Sequence, residues 1–340
     1  MASEAPPFWW EPLDWRARAL SPASAIYGAI AGRRVAKGEG ARVDAPVLCV
    51  GNFTVGGAGK TPVAIALAKQ AQAMGRTPGF VSRGHGGSKK GPHIVDLEAD
   101  SASAVGDEPL LLARHAPVAI SSRRHDAAEL LIRAGCDFLI MDDGFQSRRL
   151  HYDYALLLVS AVHGIGNGRV IPAGPLRAPV GEQLRQTDAI LIMGQGNHAT
   201  SVVRQAARAG LPVHEAGHRP VGGDWVGGRR LYAFAGIGHP DRFFATLEGL
   251  GADLEARRVF PDHHMFSREQ LNEMLEAANA AGADLVTTEK DAARLGSIVV
   301  PQEFKSRLNV LEIEAIFDDP DVPERIISQT LSAWNRRRFG

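Results

Sequence analysis

Lys60 and Thr61 follow Gly56, Gly57 and Gly59, and the run Val47-Leu-Cys-Val-Gly-Asn-Phe-Thr-Val-Gly-Gly-Ala-Gly-Lys-Thr-Pro62 reads as an apolar strand, a glycine-rich turn and a helix opening on proline. Small residues let successive backbone N–H groups curl around phosphate oxygens, and the helix N-terminus adds partial positive charge. Lys60 reaches the outer phosphates and Thr61 offers a hydroxyl to Mg²⁺. The expected contacts to a nucleoside triphosphate are therefore Thr54, Val55, Gly56, Gly57, Ala58, Gly59, Lys60 and Thr61. A strict phosphate-loop pattern would place glycine where Thr54 stands, but three glycines still supply the turn. Pro62 in the first helical turn sacrifices no hydrogen bond.

Three acidic or imidazole clusters are the candidates to work beside that loop. Asp137-Phe-Leu-Ile-Met-Asp142-Asp143-Gly144 ends an apolar strand in two carboxylates. In a phosphate-loop sheet, the strand beside the loop presents an acid to Mg²⁺ or its water shell, so Asp142 or Asp143 fills that role. Gly106-Asp-Glu-Pro109 opens a helix, where Asp107 is either a helix cap or a base for an attacking hydroxyl. Phe260-Pro-Asp-His-His264 follows a strand much later, where a turn is the ordinary reading. Neither of the last two is diagnostic alone.

Short apolar runs alternating with helical patterns must position these groups, which is the mark of a parallel sheet covered by helices. Strands are predicted at residues 47–50, 78–81, 117–120, 138–141 and 155–159, with helices at 62–74, 108–115 and 126–134 between them. They make an α/β, P-loop NTPase-like, doubly wound domain over 41–165. The stretch 166–180 is dense in glycine and proline and is expected to be an interdomain hinge. Further strands at 189–193, 231–235, 285–287 and 310–313, with helices at 242–250 and 268–281, predict a smaller α/β domain over 181–318. Residues 319–340 are expected to be a C-terminal helix packing back on the first domain.

With 340 residues and 45% apolar content, the chain can bury more than one core. Its 38 basic and 38 acidic residues balance, so no global field attracts nucleic acid, and anionic partners must be held by local groups. Cys49 and Cys136 lie in or beside apolar runs and read as reduced core thiols of a cytoplasmic protein. Nothing resembles a secretory signal or the roughly 20 apolar residues of a spanning helix. Residues 1–40 hold Phe8, Trp9, Trp10, Leu13 and Trp15, followed by Leu20, Ile26, Tyr27, Ile30 and the cations Arg33, Arg34 and Lys37. That composition suits an amphipathic segment at a bilayer surface and equally an N-terminal helix packed on its own domain.

Taken together, the blocks Gly51-Asn-Phe-Thr-Val-Gly-Gly-Ala-Gly-Lys-Thr-Pro62, Ser82-Arg-Gly-His-Gly-Gly87, Gly106-Asp-Glu-Pro109, Asp142-Asp-Gly-Phe-Gln146, Gly166-Asn-Gly168 with Pro172-Ala-Gly-Pro-Leu-Arg177, Ala235-Gly-Ile-Gly-His-Pro240 with Arg242-Phe-Phe244, Asp262-His263 and Thr288-Glu-Lys-Asp291 resemble the tetraacyldisaccharide 4'-kinase family in type and order. The resemblance runs from about Ser21 past residue 290. It implies transfer of the ATP γ-phosphate to the 4'-hydroxyl of a tetraacyldisaccharide 1-phosphate in lipid A assembly, with ATP and Mg²⁺, at the cytoplasmic face of the inner membrane. A substrate with four acyl chains stays in the bilayer, which favours the membrane-associating reading of the N-terminal helix.

The resemblance also implies roles. Asp107 is the general base, His263 its partner from the opposite domain, and Lys60 completes the catalytic set. Gln146 joins the nucleotide shell, with Thr61, Asp142 and Asp143 toward the metal. Arg83, His85, Glu108, Arg124, Asn167 and Arg177 are the expected substrate contacts. Relatives tend to carry tyrosine where this chain has His85, histidine at Ser147 and glutamate at Ala178.

The alternative is a P-loop ATPase acting as a partner-switching or membrane-surface binding protein. Partner-switching ATPases carry a lysine just before the paired glycines, where this chain has Val55, and a GTPase's Asn-Lys-x-Asp is not matched by Thr288-Glu-Lys-Asp291. No nucleic acid and no obligate protein partner is implied.

Overall fold

The computed structural model describes residues 5–57, 59–296 and 299–339. Asp14 caps the first helix, α1 (Trp15–Lys37), by accepting from the Ala17 N–H. The chain then forms β1 (Val47–Asn52), α2 (Lys60–Ala73), β2 (Pro78–Ser82), a short edge strand β3 (His93–Ile94), α3 (Ala102–Val105), α4 (Asp107–Ala113), β4 (Val118–Ile120), α5 (Arg124–Arg133), β5 (Phe138–Asp142) and β6 (Tyr154–Ser160). After the loop at 166–180 come α6 (Val180–Leu184), β7 (Ala189–Met193), α7 (Thr200–Arg208) and β8 (Val213–Val221). The remainder is β9 (Arg230–Ala235), α8 (Pro240–Gly249), β10 (Asp253–Val259), α9 (Arg268–Ala281), β11 (Asp284–Thr288), α10 (Glu289–Leu295), α11 (Gln302–Arg307), β12 (Leu308–Phe317) and α12 (Val322–Phe339).

Among the described residues twelve strands join one mixed sheet in the order β10-β9-β11-β12-β8-β7-β6-β1-β5-β2-β4-β3. From β8 to β4 every pairing is parallel, and so is every pairing from β10 to β12. The two parallel halves run in opposite senses and meet at the antiparallel ribbon of β8 and β12. The sequence reading placed the division at 166–180 and gave residues 189–193 to the smaller unit. Instead β7 pairs with β6 in the phosphate-loop half. An apolar run of strand length does not state which neighbour it pairs with, and that choice belongs to the sheet.

Both faces of the larger half are covered, which explains its near-continuous apolar strands. Leu48 and Val50 of β1 pack toward Val63 and Leu67 of α2 and Ile326 and Ile327 of α12. Val47 and Cys49 face the other layer, with Val35, Leu131, Leu184 and Val202. The last helix contributes Ile326 and Ile327 to the layer that covers β1, and its Arg337 Nε donates to Asp153 Oδ1 at 2.7 Å. The smaller half has its own two layers, one around Phe234, Leu271, Met274 and Phe304 and one around Phe243, Phe244, Leu247 and Leu311. Ser267 and Gln270 close a capping box on α9, and Gly282 ends it in the left-handed conformation.

The aromatic N-terminal segment divides. Phe8 and Trp9 are buried with Ala17, and Trp9 Nε1 donates to the Pro172 carbonyl at 3.0 Å. Leu13, Trp15, Ile26, Tyr27 and Ile30 are exposed, while Ser24, Gly28 and Gly32 face inward. Among the described residues no helix is long and apolar enough to cross a membrane.

Candidate functional site

Gly59 ends the phosphate loop at φ 82°, and a Cβ there would stand 2.7 Å from His218 Nε2. Gly56 has φ 104° with open space where its side chain would be. Both positions need glycine, the first for close approach and the second for backbone hand. Lys60 and Thr61 are buried at the start of α2. The front of the loop is tied down instead of open: the Val55 N–H donates to the Pro175 carbonyl, and Thr54 bridges Leu176. Thr54 and Val55, expected to contact nucleotide, are thus committed to the 166–180 segment, which straps the loop. The expected contact at Ala58 lies outside the described residues.

β5 lies beside β1, with Asp142 in register with Val50, so the two acids emerge next to the loop. Their environments differ. Asp143, at φ 51°, receives Arg177 Nη1 at 2.6 Å and Nη2 at 3.0 Å, with Lys60 Nζ 3.9 Å away. Burial pushes its carboxyl up, but the Lys60 and Arg177 charges hold it well below the usual carboxylate range. Asp142 is 3% exposed and its buried Oδ1 has no hydrogen-bond partner among the described residues. Burial and the nearby Glu108 charge push its carboxyl up to about 7. An orphaned carboxylate oxygen beside the loop lysine fits a hard divalent cation, which prefers oxygen ligands.

Asp107 and Glu108 begin α4, which packs against α10 from the other half of the sheet. Gly106 precedes them at φ 95°, where a Cβ would collide with the His85 carbonyl. Asp107 is 6% exposed. Its Oδ2 lies 3.1 Å from His263 Nδ1, which donates because a carboxylate only accepts. Arg294 brings Nε to the same oxygen at 3.0 Å and Nη2 at 2.5 Å. Burial opposes the Asp107 charge, but the His263 hydrogen bond and the Arg294 and Lys290 charges hold the carboxyl well below its ordinary value. The same hydrogen bond raises the His263 imidazole. His263 sits at φ 61°, in the left-handed region that non-glycine residues rarely occupy. Glu108 accepts from Lys290 Nζ at 2.7 Å, and the Lys290 charge, helped by Lys60 and opposed by burial, lowers its carboxyl.

His85 joins this group, its ring 6.4 Å from that of His263, and Arg83 is exposed two residues earlier. The other expected substrate or nucleotide contacts make hydrogen bonds to the protein, although Arg124 Nε is buried with no partner among the described residues. Arg124 donates to Ser147 Oγ and the Asp143 carbonyl, Gln146 to the Asn52 carbonyl and Gln183 Oε1, and Asn167 to the Phe8 and Ala173 carbonyls. Arg177 donates from each of its three guanidinium nitrogens, to Asp143 and the Thr54 carbonyl. These four are braces of the loops around the site, because short polar motifs do not announce whether their partner is a ligand or a backbone.

Arg294 and Asp291 were missed as site residues. Asp291 is fully buried and receives Thr288 Oγ1, the Gly236 N–H and Arg294 Nη1. The one signal in the sequence was an acid and a base three apart within Asp291-Ala-Ala-Arg-Leu295, a spacing that exposed helix faces also carry and that does not by itself mark a buried pair.

A family model, tetraacyldisaccharide-1-P 4'-kinase, matches residues 16–332. The tetraacyldisaccharide 4'-kinase of Mesorhizobium japonicum is 57% identical over 340 residues, covering all of this chain and 99% of that one. That of Brucella ovis is 54% identical over 341 residues, covering both chains in full. The crystal structure of LpxK from Aquifex aeolicus in complex with ATP matches with a TM-score of 0.73 at 27% identity, over 92% of this chain and 99% of that chain. By a family match over nearly its whole length and relatives above half identity, the chain belongs to the tetraacyldisaccharide 4'-kinase family.

Proposed function

We propose that the chain transfers the γ-phosphate of ATP to the 4'-hydroxyl of tetraacyldisaccharide 1-phosphate, a kinase step of lipid A biosynthesis, with Asp107 as the base. The observation that carries the assignment of roles is one connected charge network: Lys60 and Asp142 beside the phosphate loop, Glu108 and Asp107 on α4, and Lys290 and His263 from across the sheet.

The acceptor oxygen bonds to the γ-phosphorus as the bond to the bridging oxygen breaks, and ADP leaves. The hydroxyl proton passes to Asp107, whose hydrogen bond with His263 orients the carboxylate. A loose transition state needs such orientation more than basicity, so a carboxylate held low is an adequate acceptor late in the transfer. Lys60 steadies the transferring group. Asp142 and Thr61 are the residues that would hold Mg²⁺, and when bound it neutralises charge on the β- and γ-phosphate oxygens. Asp143 serves by fixing Lys60 and the strap rather than as the first ligand. His85, whose ring lies 6.4 Å from that of His263, and the exposed Arg83 two residues before it are the groups we assign to the disaccharide 1-phosphate.

The lipid acceptor keeps the reaction at a membrane surface, and the exposed face of α1, with Trp15, Ile26, Tyr27 and Ile30, supplies an interfacial anchor at the cytoplasmic leaflet. Incubating the protein with Mg-ATP and tetraacyldisaccharide 1-phosphate should yield a 1,4'-bisphosphorylated lipid. If nucleotide binds but no bisphosphate forms, the assignment fails.

A further inference from the structure

Two donors of one guanidinium converge on a single carboxylate oxygen at the centre of the site. An arginine facing a carboxylate ordinarily forms a fork in which each oxygen takes one N–H, as Arg177 does with Asp143. Arg294 behaves differently: Nε and Nη2 both reach Asp107 Oδ2, the oxygen that also takes His263 Nδ1. Asp107 Oδ1 accepts the adjacent Glu108 N–H at 3.0 Å. An ionised carboxylate oxygen has about two lone-pair sites, so Oδ2 is saturated and Oδ1 retains capacity.

The guanidinium is itself held from behind. Its Nη1 donates to the Gly236 carbonyl at 2.6 Å and to Asp291 Oδ1 at 2.8 Å, and Arg294 is 2% exposed. Asp291 is in turn anchored by Thr288 and Gly236, so the arginine cannot swing to cap Oδ1 without abandoning two buried partners. α10 carries Arg294 from the smaller half of the sheet and α4 carries Asp107 on the larger.

We infer that Arg294 is a positioning residue for the phosphoryl transfer, reaching across the two halves of the sheet to saturate Asp107 Oδ2 and reserve Oδ1 for the acceptor hydroxyl. This rests on Asp107 being the base. The charged and titratable groups around that carboxylate are Glu108 on α4, Lys290, Asp291 and Arg294 on α10, Asp262 and His263 on the loop after β10, and His85, which faces His263 from the loop after β2. Of these, Arg294 contributes two direct donors and a permanent charge. Its removal leaves Oδ2 with the imidazole alone and the carboxyl with only the Lys290 charge beside it, so the proton is held to higher pH and orientation is lost together.

The test is a pH profile of kcat and kcat/KM, with the full-length chain in detergent micelles containing tetraacyldisaccharide 1-phosphate, for wild type, Arg294→Gln, Arg294→Lys and Asp107→Asn. Binding of a nonhydrolysable Mg-ATP analogue to each variant serves as the check on folding. Arg294→Gln should lose about 100-fold in kcat near pH 7, the scale of one general-base contribution, with lipid KM within about twofold. Its acid limb should move up by one pH unit or more, while the loss that comes from misorientation persists above that limb. Arg294→Lys, which keeps a charge and a donor, should recover most of the activity at neutral pH. A merely structural arginine would lower the rate by the same factor at every pH, and that result, with nucleotide binding intact, overturns the inference. Should Arg294→Gln not bind nucleotide, an unshifted acid limb in Arg294→Lys, whose ammonium can supply only one donor at that distance, overturns it equally. Full activity in Asp107→Asn would instead remove the base assignment on which it stands.

Discussion

Lys290 on α10 places its Nζ 2.7 Å from Glu108 Oε1 on α4, so an ammonium from one half of the sheet and a carboxylate from the other meet directly beside Asp107. Both side chains are about 30% exposed, at 31% and 29%, which limits the energy of the contact but not its power to set geometry. The pair therefore acts as a clasp between the two halves.

The clasp predicts coupling. In a double-mutant cycle of Glu108→Gln and Lys290→Met, the interaction energy for unfolding should be on the order of 1 kcal/mol, with each single variant also lowering kcat. Additive effects in the cycle would show that the two side chains do not cooperate.

Lys60 and Asp107 should separate binding from chemistry. Lys60→Ala removes the buried charge at the triphosphate tail and should weaken Mg-ATP binding as well as the rate. Asp107→Ala should cut the rate by about 10²-fold or more while nucleotide affinity stays near wild type. Calorimetry with a nonhydrolysable nucleotide, alongside lipid product formation, distinguishes the two; an Asp107 variant as active as wild type retires its role.

His263 should titrate above its ordinary value because Asp107 holds its imidazolium form. A raised folded-state pKa means the contribution to stability is complete below the unfolded value of 6.5 and is lost as pH rises through the higher folded value. Asp107→Asn should bring the midpoint, followed by imidazole NMR, back toward 6.5. No change in midpoint between the two proteins would mean the contact is not held in solution.

Arg177 was expected at the lipid and instead braces Asp143 and the Thr54 carbonyl. Arg177→Met should therefore raise the KM for Mg-ATP by about tenfold, the value of one charge-assisted pair, and leave the KM for the lipid acceptor little changed. The reverse pattern would return Arg177 to the acceptor site.

The exposed face of α1 offers a membrane test that spares the buried Phe8 and Trp9. A triple variant, Trp15→Ser, Ile26→Ser and Ile30→Ser, removes side chains that are 75%, 66% and 56% exposed. Sedimentation with vesicles of phosphatidylethanolamine and phosphatidylglycerol should drop by about tenfold or more, from the apolar area withdrawn, with activity on detergent-dispersed substrate within about twofold. Unchanged sedimentation would place the anchor elsewhere.

Much of this site was legible in the residue order because its chemistry is local. The phosphate loop needs glycines, a lysine and a hydroxyl on consecutive residues, and a strand and helix flanking them, so Gly56, Gly57, Gly59, Lys60 and Thr61 declared themselves. Asp142 was likewise readable as the end of an apolar strand. The pairing of Asp107 with His263 came from family resemblance, since 156 residues separate them and neither cluster is distinctive alone.

Three things depended on the folded arrangement. Whether Arg124, Asn167, Arg177 and Gln146 face a ligand or a backbone carbonyl is set by where loops meet, and the chain order carries no record of that. Strand pairing put residues 189–193 with the phosphate-loop half, because periodicity specifies a strand but leaves its neighbour open. The convergence of Arg294 on one oxygen of Asp107 arises from packing α10 on α4 across the two halves of the sheet, a relation between elements 187 residues apart that hydrophobic burial and buried hydrogen bonding select together.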